Sequence, residues 1–295
     1  MLHTSDTESL QPHNKALNRY RFSGEIKLLQ GLHIGSGRGD DRTDALVIRD
    51  AQGKPIIPGS SLRGVLRSSI ERVLMGLYKV GATSLWACQL YEPDLPDGKF
   101  CVGNSVHKAS VEKSREFQKL QEKENGTARV WEQLPVALCD SCKLFGAGTF
   151  YASKIRFTDL DMVTGKSEPV IRHGVGIHRD TGTAAGGVKY DKEVVEAGAT
   201  FRFEAVGENL VENDLALLAL GFSALLDGEL ALGGSTGRGL GGIQLIDSKV
   251  FWVNLDKKEE AKTFLLQKKY PHSLGLKQFT EEHLKKLLEP VHPEA

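Results

Sequence analysis

The stretch Tyr20–Gln30, YRFSGEIKLLQ, sets Phe22, Gly24, Ile26 and Leu28 against Arg21, Ser23, Glu25 and Lys27. That is period two, the pattern of a strand with one face buried and one face wet. The next strongly patterned stretch is a helix. In SSLRGVLRSSIERVLMGLY, Ser60–Tyr78, the residues Leu62, Val65, Leu66, Ile70, Val73, Leu74 and Leu77 share one face at helical spacing. Ser60 or Ser61 is expected to cap this helix, and Gly64 weakens its first turn. Between strand and helix, ALVIRDAQGKPIIPG reads as a short hairpin turning at DAQGK.

Further along, YASKIRFTDLDMV alternates and reads as a strand, as does TFRFEAVGE. ENDLALLALGFSALLDGEL is a helix with Leu215, Leu218, Phe222 and Leu225 on one face, and LGGSTGRGLGGIQLIDSKVFWV is a glycine loop feeding a last strand. Without insertions the order is β-α-β-β-α-β, an α+β, ferredoxin-like (RRM-like) pattern. The expected division is a disordered lead over 1–18, the main domain over 19–255 and a charged, helical C-terminal tail over 256–295. Two insertions decorate the domain, a cysteine region at 80–149 and a hairpin arm at 163–199.

Bulk properties narrow the function only a little. The 295 residues carry 38 Lys and Arg against 38 Asp and Glu. There is no global basic field, although a local basic groove is still allowed. No apolar run approaches the roughly 20 residues that span a bilayer. The polar N-terminus MLHTSDTESLQPHNKALNRY does not read as a signal or transit peptide, so the cytoplasm is the expected location.

Four motifs carry chemistry. In GLHIGSGRGDDRTDALVIRD, Gly31–Asp50, a glycine- and arginine-bearing loop with Gly35, Arg38 and Arg42 suits a phosphate, yet it also holds Asp40, Asp41 and Asp44. In IPGSSLRGVLR, Ser60 and Ser61 stand where a helix N-terminus attracts anions, and Arg63 and Arg67 are four apart on one face. A capped helix with solvated arginines is the alternative. In LGGSTGRGLGGI, Gly233, Gly234, Gly237, Gly239, Gly241 and Gly242 surround Ser235 and Arg238. Such density exposes N–H groups that bind anions, or else makes a flexible turn. It precedes a strand, so it is not a dinucleotide fingerprint. Finally, Cys88, Cys101 and the C-x-x-C pair Cys139 and Cys142 could close a structural zinc site, with His107 as an alternative ligand. Unconnected buried thiols or a redox pair are the other readings.

The arm RHGVGIHRDTGTAAGGVKYDKEVVEAG alternates Arg172, His173, His178, Arg179 and Lys189 with small residues and valines. That suits a hairpin laid against nucleic acid with its basic groups on phosphate. The two histidines read as contacts rather than as a metal or acid–base pair.

Taken together, GLHIGSG, DALVIRD, GKPIIPGSSLRGVLR, RHGVGIHRDTGTAAGG, EVVEAGATF and LGGSTGRGLGGIQL resemble the RAMP superfamily, and more closely the Cas-seven-type backbone subunits of type III CRISPR effectors, Csm-type most of all. The resemblance spans about 20 to 252. It implies subunits stacked beside neighbouring RAMP subunits along a CRISPR RNA. The first helix's start and the glycine loop would hold the guide, including Gly234, Ser235, Gly237, Arg238 and Gly239. The arm would act as a thumb, wedged between guide and target RNA. It also implies a zinc at the C-x-x-C before LFG.

In cleaving members one aspartate of the loop after the first strand cuts the target RNA, and by motif that position is Asp44. Asp40, Asp41 and His33 are potential assistants. The implied chemistry is attack by the RNA's own 2′-hydroxyl on the adjacent phosphate, with magnesium or manganese as a potential helper. The alternative is a non-catalytic structural subunit that binds RNA without cutting it.

Overall fold

The computed structural model describes residues 15–37, 43–88, 99–123, 138–148 and 151–288. The elements, in chain order, are β1 (Asn18–Leu28), β2 (Ile56–Ile57), α1 (Gly59–Lys79), α2 (Ser105–Glu112), α3 (Arg115–Lys123) and α4 (Asp140–Phe145). Then come β3 (Ile155–Phe157), β4 (Leu160–Thr164), β5 (Val170–Ile177), β6 (Ala184–Val194), β7 (Thr200–Glu208) and α5 (Glu212–Leu226). The last are β8 (Leu230–Ala231), β9 (Gly242–Asn254), α6 (Lys258–Gln267), β10 (His272–Gly275) and α7 (Leu276–Leu287).

The fold is mixed, with helices packed on an antiparallel sheet ordered β10–β9–β1–β7–β4–β2; β3 also pairs with β7, and β8 with β9. β5 and β6 form a separate two-stranded hairpin. The alternation of β1 is realised: Phe22, Ile26 and Leu28 are buried while Arg21 and Lys27 are exposed. Phe201, Phe203, Ile243, Leu245 and Val250 extend that apolar face. Leu62, Leu66, Ile70 and Leu74 of α1 close over it, with Leu215, Leu218, Phe222 and Leu225 of α5. Gly221 lets the two helices approach, since a Cβ there would fall 2.7 Å from Ile70 Cδ1. Val73, expected on the apolar face, is exposed instead.

Three further expectations change. The strand read over YASKIRFTDLDMV breaks at Thr158–Asp159 into β3 and β4. That break frees Asp159, whose Oδ1 accepts the Gly59 N–H at 2.8 Å. The first position of α1 is therefore Gly59, preceded by Pro58 and capped by Asp159 from the β3–β4 break, and neither Ser60 nor Ser61 is its N-cap. Lastly, the C-terminal segment is not a tail. β10 adds to the sheet edge, and α7 buries Leu276, Phe279 and Leu287, with Phe279 edge-on to Phe22 at 5.6 Å. An Asn209 clamp holds the other terminus: its Oδ1 accepts the Leu17 N–H and its Nδ2 donates to Lys15 O. Of the expected lead, residues 1–14 lie outside the described residues.

Candidate functional site

The chain leaving β1 doubles back on itself. Residues 32–36 run beside 46–48, with Ser36 N–H donating to Leu46 O and Ile48 N–H to Ile34 O, both at 2.9 Å. This holds Asp44 exposed at the end of the loop, against the base of the β5–β6 hairpin. Its Oδ2 accepts the Asp191 N–H at 2.8 Å. Arg38, Asp40, Asp41 and Arg42 lie outside the described residues.

β6 uses its period of two to join two loops. On one side Glu193 grips the aspartate loop: its carboxylate accepts the Val47 N–H and the Arg49 guanidinium, both at 2.9 Å, while its own N–H donates to Ala45 O. On the other side Lys192 Nζ donates to Ser235 Oγ at 2.7 Å, and Arg238 Nη1 donates to the Tyr190 hydroxyl at 2.7 Å. The glycine loop is thus tied to the hairpin by the residues beside Asp191. His33 lies between, its Nδ1 2.7 Å from Glu193 O. A carbonyl only accepts, so Nδ1 carries the proton. Asp191, Lys192 and Glu193 escaped the sequence reading. Their signal was there, in the alternating charges of KYDKE at the foot of the arm.

The glycine loop has a backbone that other residues tolerate poorly. Gly233, Gly239 and Gly241 have positive φ, as does Ser235. A Cβ on Gly233 would strike His33 O, and one on Gly241 would strike Leu232 O. Gly234, Gly237, Arg238 and Gly239 are exposed. Gly35 is exposed as well, next to His33. Arg172, His178, Arg179 and Lys189 are exposed on the hairpin, where His173 Nδ1 pairs with Asp191 Oδ1 at 2.7 Å.

The start of α1 is less open to anions than its sequence suggests. Asp159 already takes the Gly59 N–H, and Ser61 N–H returns to Pro58 O. Ser60 is exposed and Ser61 half-buried; Gly64 faces open space. Arg63 and Arg67 point into the protein. Arg63 Nη2 donates to Phe145 O, and Arg67 reaches Glu71, Gly146 O and Cys142 Sγ. Burial and the adjacent Arg67 charge lower the pKa of Arg63. Burial alone would lower Arg67 too, but Glu71 and the Cys142 thiol raise it above its ordinary value.

The four cysteines converge. Their sulfurs lie within 4.8 Å of one another, and all four residues are buried. Cys88 Sγ and Cys142 Sγ are 3.5 Å apart. A tetrahedral zinc with bonds of about 2.3 Å needs sulfurs about 3.8 Å apart, so the donor set fits the ion in number, type and spacing. Backbone N–H groups of Gly103 and Cys139 point at Cys101 Sγ, at 3.3 and 3.2 Å. A Cβ at Gly103 would collide with Cys142 Sγ. Hydrogen bonds from the Cys139 thiol first, then from Cys142 and Cys88, favour Cys101 as thiolate, while burial pushes the Cys139 thiol up. His107, the alternative ligand, is no part of this group. Its Nδ1 accepts the Cys101 N–H at 3.3 Å and its ring stacks on Phe100. Asp44 belongs to no group of three or more metal-ligating side chains among the described residues.

Residues 25–244 match the family model of the RAMP superfamily. The chain is 28% identical over 252 residues to the CRISPR system Cms endoribonuclease Csm3 of Methanocaldococcus jannaschii, covering 78% of this chain and 79% of the relative. It is 41% identical over 59 residues to the protein of the same name from Enterococcus italicus, covering 19% of this chain and 28% of that one. No helix among the described residues is long and apolar enough to cross a membrane.

Proposed function

The chain belongs to the RAMP superfamily, and from that premise we propose that it is a Csm-type backbone subunit of a type III CRISPR effector that binds CRISPR RNA and cuts complementary target RNA with Asp44. The sheet β9–β1–β7–β4 with α1 and α5 is read as the ferredoxin-like palm, and the β5–β6 hairpin as the thumb. The partners are CRISPR RNA, target RNA and neighbouring RAMP subunits. The likeness to relatives named as CRISPR endoribonucleases supports this reading.

One observation carries the site assignment. Three consecutive residues of β6 hold Asp44, the aspartate loop and the glycine loop at one place: Asp191 through its N–H, Glu193 through its carboxylate and Lys192 through Ser235. A target strand lying over the thumb base meets a carboxylate, and a guide lying over Gly234–Gly239 meets an exposed, glycine-rich backbone and the Arg238 guanidinium. Asp44 then removes the proton from a 2′-hydroxyl. The 2′-oxygen bonds to the adjacent phosphorus as the P–O5′ bond breaks, and the departing 5′-oxygen takes a proton from water, with His33 beside the site as a potential donor. The products are a 2′,3′-cyclic phosphate and a 5′-hydroxyl. Magnesium or manganese at Asp44 would help neutralise the phosphate. Cys88, Cys101, Cys139 and Cys142 would hold one structural zinc, which pins the short helices of the 80–149 region to the palm.

The test is the assembled complex carrying Asp44→Asn, given guide and matched target. Retained target binding with cutting lost opposite this subunit supports the reading. Cutting at the wild-type rate overturns it. A wild-type complex that binds the target yet never cuts there makes the chain a structural subunit.

A further inference from the structure

Arg67 was expected on RNA, but its guanidinium is spent within the protein. Nε donates to Glu71 Oε1 at 2.7 Å, Nη1 to Gly146 O at 3.3 Å and Nη2 to Cys142 Sγ at 3.3 Å. The same Glu71 Oε1 accepts the Ser141 hydroxyl at 2.7 Å. Ser141 and Cys142 sit on α4, and Gly146 is its C-cap. One planar fork, aimed by one carboxylate, therefore spans α4 from the ligand turn to its end.

The charge of the cysteine centre gives this arrangement a purpose. Four thiolates around a divalent ion leave a net charge of about −2. The sulfurs are buried, where uncompensated charge is costly. Two backbone N–H groups soften the charge on Cys101, and Arg67 brings a full positive charge to Cys142. A lysine could neutralise but could not span, because it lacks the fixed fork.

The geometry points to Arg67 as the positioning residue and counter-cation of the cysteine metal centre, oriented by Glu71 and Ser141, so that the guide-side helix α1 is coupled to metal retention. This rests on the zinc reading given above. Arg67 touches Cys142 and would never touch the ion, in the way that outer partners of ligating side chains set metal affinity.

The test uses the purified full chain. Zinc per chain is measured by elemental analysis, and zinc release to a chromophoric chelator is followed in wild type, Arg67→Gln, Arg67→Lys and Arg72→Gln, the last removing a charge from the exposed side of the same helix. Release from Arg67→Gln should be about 10- to 100-fold faster than from wild type, with Arg67→Lys between and Arg72→Gln like wild type. In cobalt-substituted protein, Arg67→Gln should also shift the sulfur-to-cobalt charge-transfer band. If Arg67→Gln does not fold, Glu71→Gln keeps the arginine and loses its aim, and should quicken release in the same direction. Release from the Arg67→Gln or Glu71→Gln protein at the wild-type rate overturns the inference. A wild type that binds neither zinc nor cobalt overturns the zinc reading itself.

Discussion

Asp44 Oδ2 accepts the backbone N–H of Asp191 at 2.8 Å, so the carboxylate proposed to cut RNA also ties its loop to the β5–β6 hairpin. One oxygen anchors, leaving the other for a substrate hydroxyl. Asparagine keeps the acceptor and removes the base; alanine removes both. Both Asp44→Asn and Asp44→Ala should slow cutting by about 10²- to 10⁴-fold. Only the alanine variant should quicken amide exchange at 190–194. Equal exchange in the two variants would contradict the anchoring role, whatever happens to cutting.

The chemistry proposed for Asp44 predicts its own substrate requirement. The nucleophile is the RNA's 2′-hydroxyl, so a single 2′-deoxy nucleotide on the 5′ side of the cut should abolish cleavage there and leave binding unchanged. Neighbouring cuts should continue. Mass spectrometry of the products should find a 2′,3′-cyclic phosphate; a 5′-phosphate would mean that water attacked instead.

The cysteine centre should be separable from the α1–α5–sheet core. Cys139→Ser removes a ligand and the sulfur that accepts the Cys142 N–H at the start of α4. The variant should lose its zinc and the protection of residues 99–123 and 138–148 from protease. The α1–α5–sheet core should remain folded, since its apolar residues form a cluster distinct from the one around the cysteines. Circular dichroism and limited proteolysis would show whether the two losses part company.

Glu260 predicts an acid limit for the C-terminal unit. The Asn254 N–H at 2.9 Å, with His272 and Lys257, holds its carboxyl near 2 against an ordinary 4.5. A depressed folded pKa means that the unfolded chain takes up the proton first. The contribution is complete above about pH 4.5 and is lost as pH falls towards 2. Glu260→Gln should flatten the melting temperature across that window. An unchanged slope would assign the acid sensitivity to other carboxylates.

How much was legible depended on how local each signal was. Period-two and helical patterns in β1, α1 and α5 needed only neighbours in sequence; the buried faces of β1 and α1 emerged largely as read, while α5 also buries Ala216, Leu217 and Ala219 outside its expected face. The cysteines declared themselves by chemistry, but that His107 stays out of their group required the fold. Arg63 and Arg67 misled because helical spacing gives a face without saying what covers it; α4 and the turn after it, about eighty residues on, cover this one. Ser60 and Ser61 looked like caps until Asp159 arrived from a strand break a hundred residues away. The three β6 residues that hold Asp44 and its loop in place were hidden in a charged run.

The C-terminal segment shows the same limit and yields the sharpest stability prediction. Its many lysines and glutamates suggested a solvated appendage, yet only one face of α7 is charged. Leu276, Phe279 and Leu287 come from the other face, and Phe279 packs against Phe22 and the His283 ring. Phe22 in turn touches Phe222 of α5 at 4.9 Å, so α7 completes the core between the sheet and its helices. Phe279→Ala should cost about 3–5 kcal/mol, seen as a lower denaturant midpoint with a single unfolding transition. Lys285→Ala, on the polar face, should change it by less than about 0.5 kcal/mol. A separable tail makes the opposite forecast: Phe279→Ala would be silent, and truncation after residue 255 would leave the midpoint where it was.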